Sequence, residues 1–215
     1  MTEEQWLAAK DVEPLLKWLQ RSKRRRPTRR KLQLLANAFA DRIADKFTDP
    51  VSQRVRRFMD RLAEESLTSD EFLTEWRQWW RALLSITHGH ILTWAIGVSD
   101  PNEREYSPET HVRSLAGYVC DMVGNGERLN QIRLLRDIIP NPYCPVAFSP
   151  DWRTDTTASL ARGMYESRDF GAMPILADAL QDAGCDSDDI LNHCRDAKQV
   201  HVCGCWVVDL VLGKA

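Results

Sequence analysis

The chain has 215 residues, 43% hydrophobic and 28% charged, which suits one or two domains with a real core and excludes a disordered or fibrous protein. No apolar run reaches the roughly 18 residues of a membrane span, and the acidic, mixed opening MTEEQWLAAKDVEPLL does not read as a signal peptide. The net charge of −2 hides an asymmetry: residues 21–62 hold 14 Lys/Arg against four Asp, so the rest of the chain carries −12. Such a split fits a polyanion-binding surface, or two oppositely charged parts of one protein that attract each other, the reading preferred here.

The pattern is helical nearly throughout. Asp11 and Pro14 mark a helix start before LLKWLQ. Thr28 caps a helix expected to reach Phe47, with Leu32, Leu35, Phe39, Ile43 and Phe47 on one face. Asp49 and Pro50 open a helix to about Ser66. Thr68-Ser69-Asp70-Glu71 opens a long helix expected to run to Ala95. On it Phe72, Trp76, Trp79, Leu83, His90 and Trp94 share a face, with Trp80 at its border. His90 reads as a core histidine. His88 and His90 diverge by about 160° on a helix and cannot chelate one ion unless Gly89 breaks it. Further helices are expected over 109–123 and 127–139.

The segment PNPYCPVAFSPDW contains four prolines and is expected to be irregular. This places an N-terminal helical bundle over 1–139, a connector over 140–156 and a small C-terminal helical module over 157–215. The module reads as helices at 157–167, 172–183, 186–195 and about 204–212. Its expected core is Ile175, Leu176, Ala179, Leu180, Ile190, Leu191, Trp206, Val207, Leu210 and Val211. The fold class is therefore all-α.

Chemistry-bearing residues concentrate in the module. Cys185, His193, Cys194, His201, Cys203 and Cys205 fall within 21 residues. Soft sulfur and imidazole ligands at such density can hold zinc, and Cys185, Cys194, His201 and Cys205 are the candidate ligands. The close pairs C-x2-4-C and H-x3-5-H of structural zinc sites are missing, and His193 and Cys194 point about 100° apart on a helix. The preferred reading is packing: the cysteines as small hydrophobes, the histidines as hydrogen-bonding groups, with no cofactor and zinc as the alternative.

The run RSKRRRPTRRK, residues 21–31, has eight positive residues of eleven. Arg24, Arg25, Arg26, Arg29 and Arg30, extended by Arg54, Arg57 and Arg61 on the next helix, could bind phosphate backbones or an acidic partner. No helix-turn-helix, zinc-finger or RNA-binding signature accompanies them. No nucleophile elbow, phosphate-binding loop, H-E-x-x-H or dinucleotide fingerprint is present. The expectation is a non-enzymatic cytoplasmic interaction or regulatory protein with a protein partner, nucleic acid being the alternative partner and a membrane none.

The tail MPILADALQDAGCDSDDILNHCR…HVCGCWVVDLVLGK, the opening EEQWLAAKDVEPLLKWLQ and the segment LLRDIIPNPYCPVAFSPDW resemble a planctomycete-type family of bacterial proteins. The resemblance covers about residues 1–20 and 133–215 and implies no activity. That family has arginine at the places of Cys203 and Cys144, so it implies no metal site relying on either.

Overall fold

The computed structural model describes residues 1–22, 26–65, 67–101, 103, 105–124 and 126–214. Among them the regular structure is helical without strands, as the periodicity requires. The chain divides into two compact units, Met1–Leu135 and Arg136–Ala215.

Short polar side chains start the helices of the first unit. Thr2 begins α1 (Glu3–Ala8) with a reciprocal bond to Gln5, and Asp11 caps α2 (Val12–Arg21). Thr28 caps α3 (Arg29–Asp41), Asp49 caps α4 (Pro50–Glu64), and Thr68 pairs with Glu71 to open α5 (Ser69–Ser85). Each side-chain oxygen accepts from a backbone N–H that the first helical turn leaves unpaired. α6 (Gly89–Gly97), α7 (Pro108–Val123) and α8 (Glu127–Ile138) follow. α1, absent from the periodicity reading, is tied down by Trp6, which is 1% exposed and lies 5.9 Å from the Trp18 ring.

α3 is the axis of this unit. Residues 32–40 are all buried, and α3 packs against α4, α6 and α7. A helix buried all round needs small residues for close approach, here Ala36, Ala38 and Ala40. Both buried amides donate inside the unit: Gln33 Nε2 to Asn37 Oδ1 and the Ala95 carbonyl, and Asn37 Nδ2 to the Met59 carbonyl, while Gln33 Oε1 is buried without a hydrogen-bond partner. α3 ends at Asp41 rather than continuing to Phe47; a 3-10 turn, Ala44–Lys46, follows, and Ile43 and Phe47 are still buried.

The long helix expected from Thr68 to Ala95 is two helices. The chain breaks at Ile86–His88, where His88 adopts φ 66° and Gly89 begins α6. A Cβ on Gly89 would lie 2.0 Å from the Leu83 carbonyl oxygen, so only glycine fits there. The break divides the aromatic stripe. Phe72 and Leu83 are buried, Trp76 and Trp79 are half-buried, and Trp80 and His90 are exposed. The buried histidine of this unit is His111 on α7, not His90; it packs against Gly97 and the Trp94 ring.

The second unit contains the end of α8, a 3-10 turn at Pro150–Trp152, and α9 (Asp155–Ser167), α10 (Met173–Asp182), α11 (Asp188–Arg195) and α12 (Trp206–Leu212). Its core joins Met164, Met173, Leu176, Leu180, Ile190 and Val207 with Cys185, Cys194 and Cys205. Val146, Phe148 and Trp152 pack against that core, so the proline-rich segment belongs to this unit and the division falls within α8 instead. On α10 the buried face is Met173, Leu176, Ala177 and Leu180; Ile175, expected inside, is 59% exposed. Arg153 donates to the Leu210 and Val211 carbonyls, satisfying the open end of α12. No described helix is long and apolar enough to cross a membrane.

Candidate metal centre

Among the described residues one group of potential metal ligands converges: Asp137, His193, His201 and Cys205, whose ligand atoms all lie within 4.8 Å of one another. Each comes from a different place in the second unit. Asp137 is near the end of α8, three residues after the buried Leu134 and so on the helix's apolar stripe. His193 is on α11, one residue before the buried Cys194. His201 lies in the loop after α11, and Cys205 directly precedes α12. That loop turns through Gly204, at φ 92°, with Cys205 N–H donating to the Val202 carbonyl.

Asp137 is the hub. Its fully buried carboxylate meets His201 Nδ1 at 2.7 Å and His193 Nε2 at 3.2 Å through Oδ1, and accepts from Val202 N–H at 2.9 Å through Oδ2. Burial pushes this carboxyl upward, but the two histidines outweigh it and hold it below its ordinary value. Cys205 Sγ lies 3.3 Å from His193 Nε2 and 3.7 Å from His201 Nδ1. Burial, reinforced by the Asp137 charge, raises the Cys205 thiol well above the ordinary range, and the same two causes push Cys194 up to about 12.

Three of these separations are near the edges of a tetrahedral shell. Bonds of about 2.0–2.3 Å to O, N and S set ligand–ligand edges of about 3.3–3.6 Å. The 3.2, 3.3 and 3.7 Å edges fall close to that range, and the 2.7 Å edge is contracted by a direct hydrogen bond. A nucleophilic triad does not fit. Such a triad splits the two imidazole nitrogens between nucleophile and carboxylate. Here His193 Nε2 faces both Asp137 and Cys205, while Nδ1 accepts from Trp206 Nε1 at 3.2 Å. Cys205 is moreover 0% exposed, out of reach of a substrate, and its raised pKa is the reverse of an activated thiol.

Of the ligands expected from sequence, His201 and Cys205 are in the group and Cys185 and Cys194 are not. The latter are 4% and 1% exposed and line the hydrophobic core, as packing cysteines do. His193 replaces Cys194 because neighbours on a helix cannot face one point. Asp137, 48 residues before Cys185, was not among the sequence candidates. The only signal for it was an acidic residue on the apolar stripe of LLRDII. Cys203 sits apart, its Sγ 3.8 Å from the Tyr165 carbonyl oxygen. None of the six cysteines is in a disulfide.

The basic residues of the first unit are largely engaged at home. Arg26 grips the buried Glu109 with two hydrogen bonds, at 2.6 and 3.0 Å. Arg29 donates to the Asp100 carbonyl, Arg30 pairs with Glu64, and Arg61 pairs with Glu65 and Glu75. Arg54 is exposed and lies 5.9 Å from the Trp79 ring, and Arg57 is exposed. Arg24 and Arg25 lie outside the described residues. A cleft of about 280 Å³ in this unit is bordered by Asp11, Glu13, Arg113 and Arg128, which pair across it as Asp11–Arg128 and Glu13–Arg113.

No protein-family model, curated protein or solved structure matches the chain.

Proposed function

We propose that residues 136–215 form a module that binds a zinc-class divalent cation, within a non-enzymatic interaction or regulatory protein. The observation that carries this reading is the convergence of Asp137, His193, His201 and Cys205 within 4.8 Å, with three of their separations near the edge lengths of a tetrahedral shell. One carboxylate, two imidazoles and one thiolate suit zinc better than calcium or magnesium, which take oxygen donors. The carboxylate and thiolate together neutralise a divalent charge inside a buried site. The buried, unactivated thiol supports the non-enzymatic part. A reducing, cytoplasmic setting belongs to the same proposal, because the thiol must stay free to bind metal. So does the planctomycete-type resemblance: His193, His201 and Cys205 fall within the tail motif that carries it, and Cys203 is not needed.

Elemental analysis of the purified chain, with cobalt substitution followed by its visible spectrum, tests the reading. One equivalent of metal is expected, with a sulfur-to-cobalt charge-transfer band that Cys205→Ser abolishes. Metal at 100 times its Kd should stabilise the fold by about 2.7 kcal/mol. A folded wild-type chain that binds neither ion would reduce the cluster to a polar network closed by its own hydrogen bonds.

A further inference from the structure

Trp206 opens α12 directly after Cys205, and its Nε1–H donates to His193 Nδ1 at 3.2 Å. An indole nitrogen donates and does not accept. His193 Nδ1 therefore presents a lone pair, and the single N–H of the neutral ring is on Nε2, facing Asp137 and Cys205. A metal on Nε2 requires the opposite arrangement. The ligand nitrogen must be bare, and the ring then keeps its proton on Nδ1. Two N–H groups would point at each other across the same gap. The indole bond and coordination by His193 thus exclude each other.

We propose that Trp206 opposes metal binding and responds to it: filling the site exchanges the His193 N–H from Nε2 to Nδ1, breaks the Trp206–His193 hydrogen bond and displaces the first residue of α12. The step balances: one proton leaves His193 Nε2 and one arrives on Nδ1 through solvent, His201 likewise trades its Nδ1 proton for one on Nε2, both rings stay neutral, and Cys205 releases its thiol proton to solvent as the thiolate binds. This rests on the metal reading of the same cluster.

The surroundings suit such a response. The indole packs on the His193 ring at 4.8 Å between centroids and is only 8% exposed, so it cannot lose its acceptor without moving or finding another. The far end of α12 is held by Arg153 at the Leu210 and Val211 carbonyls, and by the buried Val207, Val208 and Val211. Displacement is therefore confined to the turn at Gly204–Trp206, where Gly204 already occupies the left-handed region. Asp137 ties the cluster together by accepting from His201, His193 and Val202, and the core of the unit does not include the ligating nitrogens or oxygens. Two mutually exclusive arrangements of His193 make a switch, biased by whatever binds one of them better.

The test uses the full chain and zinc alone as the probe. Titration calorimetry reports occupancy. Nitrogen-15 NMR reports the His193 tautomer and the Trp206 indole N–H, whose cross-peak is assigned by its loss in Trp206→Phe. Zinc should move that cross-peak and shift the His193 proton from Nε2 to Nδ1. Trp206→Phe, which lacks the competing donor, should bind zinc about 2- to 10-fold more tightly, the worth of one neutral hydrogen bond. Stoichiometric zinc with an unmoved indole signal would overturn the coupling and leave the metal site standing. No zinc bound by the folded wild type would overturn both.

Discussion

Glu109 and Glu127 are fully buried carboxylates, each gripped by an arginine that is about half exposed: Arg26 holds Glu109 and Arg42 holds Glu127. Removing one partner of such a pair costs more than the pair gains, because a buried charge is left behind. Arg26→Ala should therefore destabilise the chain by about 1–3 kcal/mol, measured by urea unfolding. Burial pushes the Glu109 carboxyl up, but the Arg26 hydrogen bonds and charge, with help from Ser107 and the backbone, bring it below its ordinary value of 4.5. A depressed folded value stabilises above the unfolded value and loses that contribution as pH falls through the folded one. Stability should thus decline on acidification below about 4.5, and Glu109→Gln should flatten that part of the profile. An unchanged acid limb in the variant would show that other carboxylates dominate. In the second unit the decisive side chain is Trp206. Trp206→Ala should cost about 3–5 kcal/mol, as truncation of a large core aromatic does. A loss below about 1 kcal/mol, read from the same urea transitions, would mean that the indole contributes little to packing.

At the scale of elements, two glycines make opposite predictions. Gly89 ends the space available after α5, with the Leu83 carbonyl where a Cβ would go. Gly89→Ala forces the break between α5 and α6 to shift, and about 1–3 kcal/mol of stability should be lost. Gly117 lies in the middle of α7, exposed, with nothing within 4 Å of an added Cβ. Gly117→Ala should stabilise by roughly 0.5–1 kcal/mol, because alanine has less backbone freedom to lose. Thermal melts of the two variants, displaced in opposite directions from wild type, check both at once. Helix starts were legible here. Asp11, Thr28, Asp49 and Thr68 all cap where the sequence placed them, since capping is a local bond between a side chain and a nearby N–H. Helix ends were less so. α3 stops six residues early and α5 breaks at Ile86, because stops depend on what the next turn must pack against.

At the scale of the molecule, the charge asymmetry is spent partly inside the first unit. Arginines at 26, 30, 42 and 61 meet acids at 109, 64, 127 and 65, respectively. Each unit also has a core of its own, around α3 in the first and among α9–α12 in the second. In Trp206→Ala, hydrogen exchange should therefore accelerate first in α10–α12, with the buried amides of α3 retaining wild-type protection. Equal acceleration in α3 would show that the two units open together.

The sequence by itself determined the helical class, most helix starts and the Cys/His density of the tail. Those follow from 3.6-residue periodicity and from contacts within a few residues, both local properties of the chain. Tertiary structure alone decided which of those residues meet. Asp137 joins His201, 64 positions further along the chain, and no spacing rule reaches that far. Cys185 and Cys194 turn to the core while His193 turns to the cluster, because a helix presents each side chain in one direction and packing chooses which direction is inward.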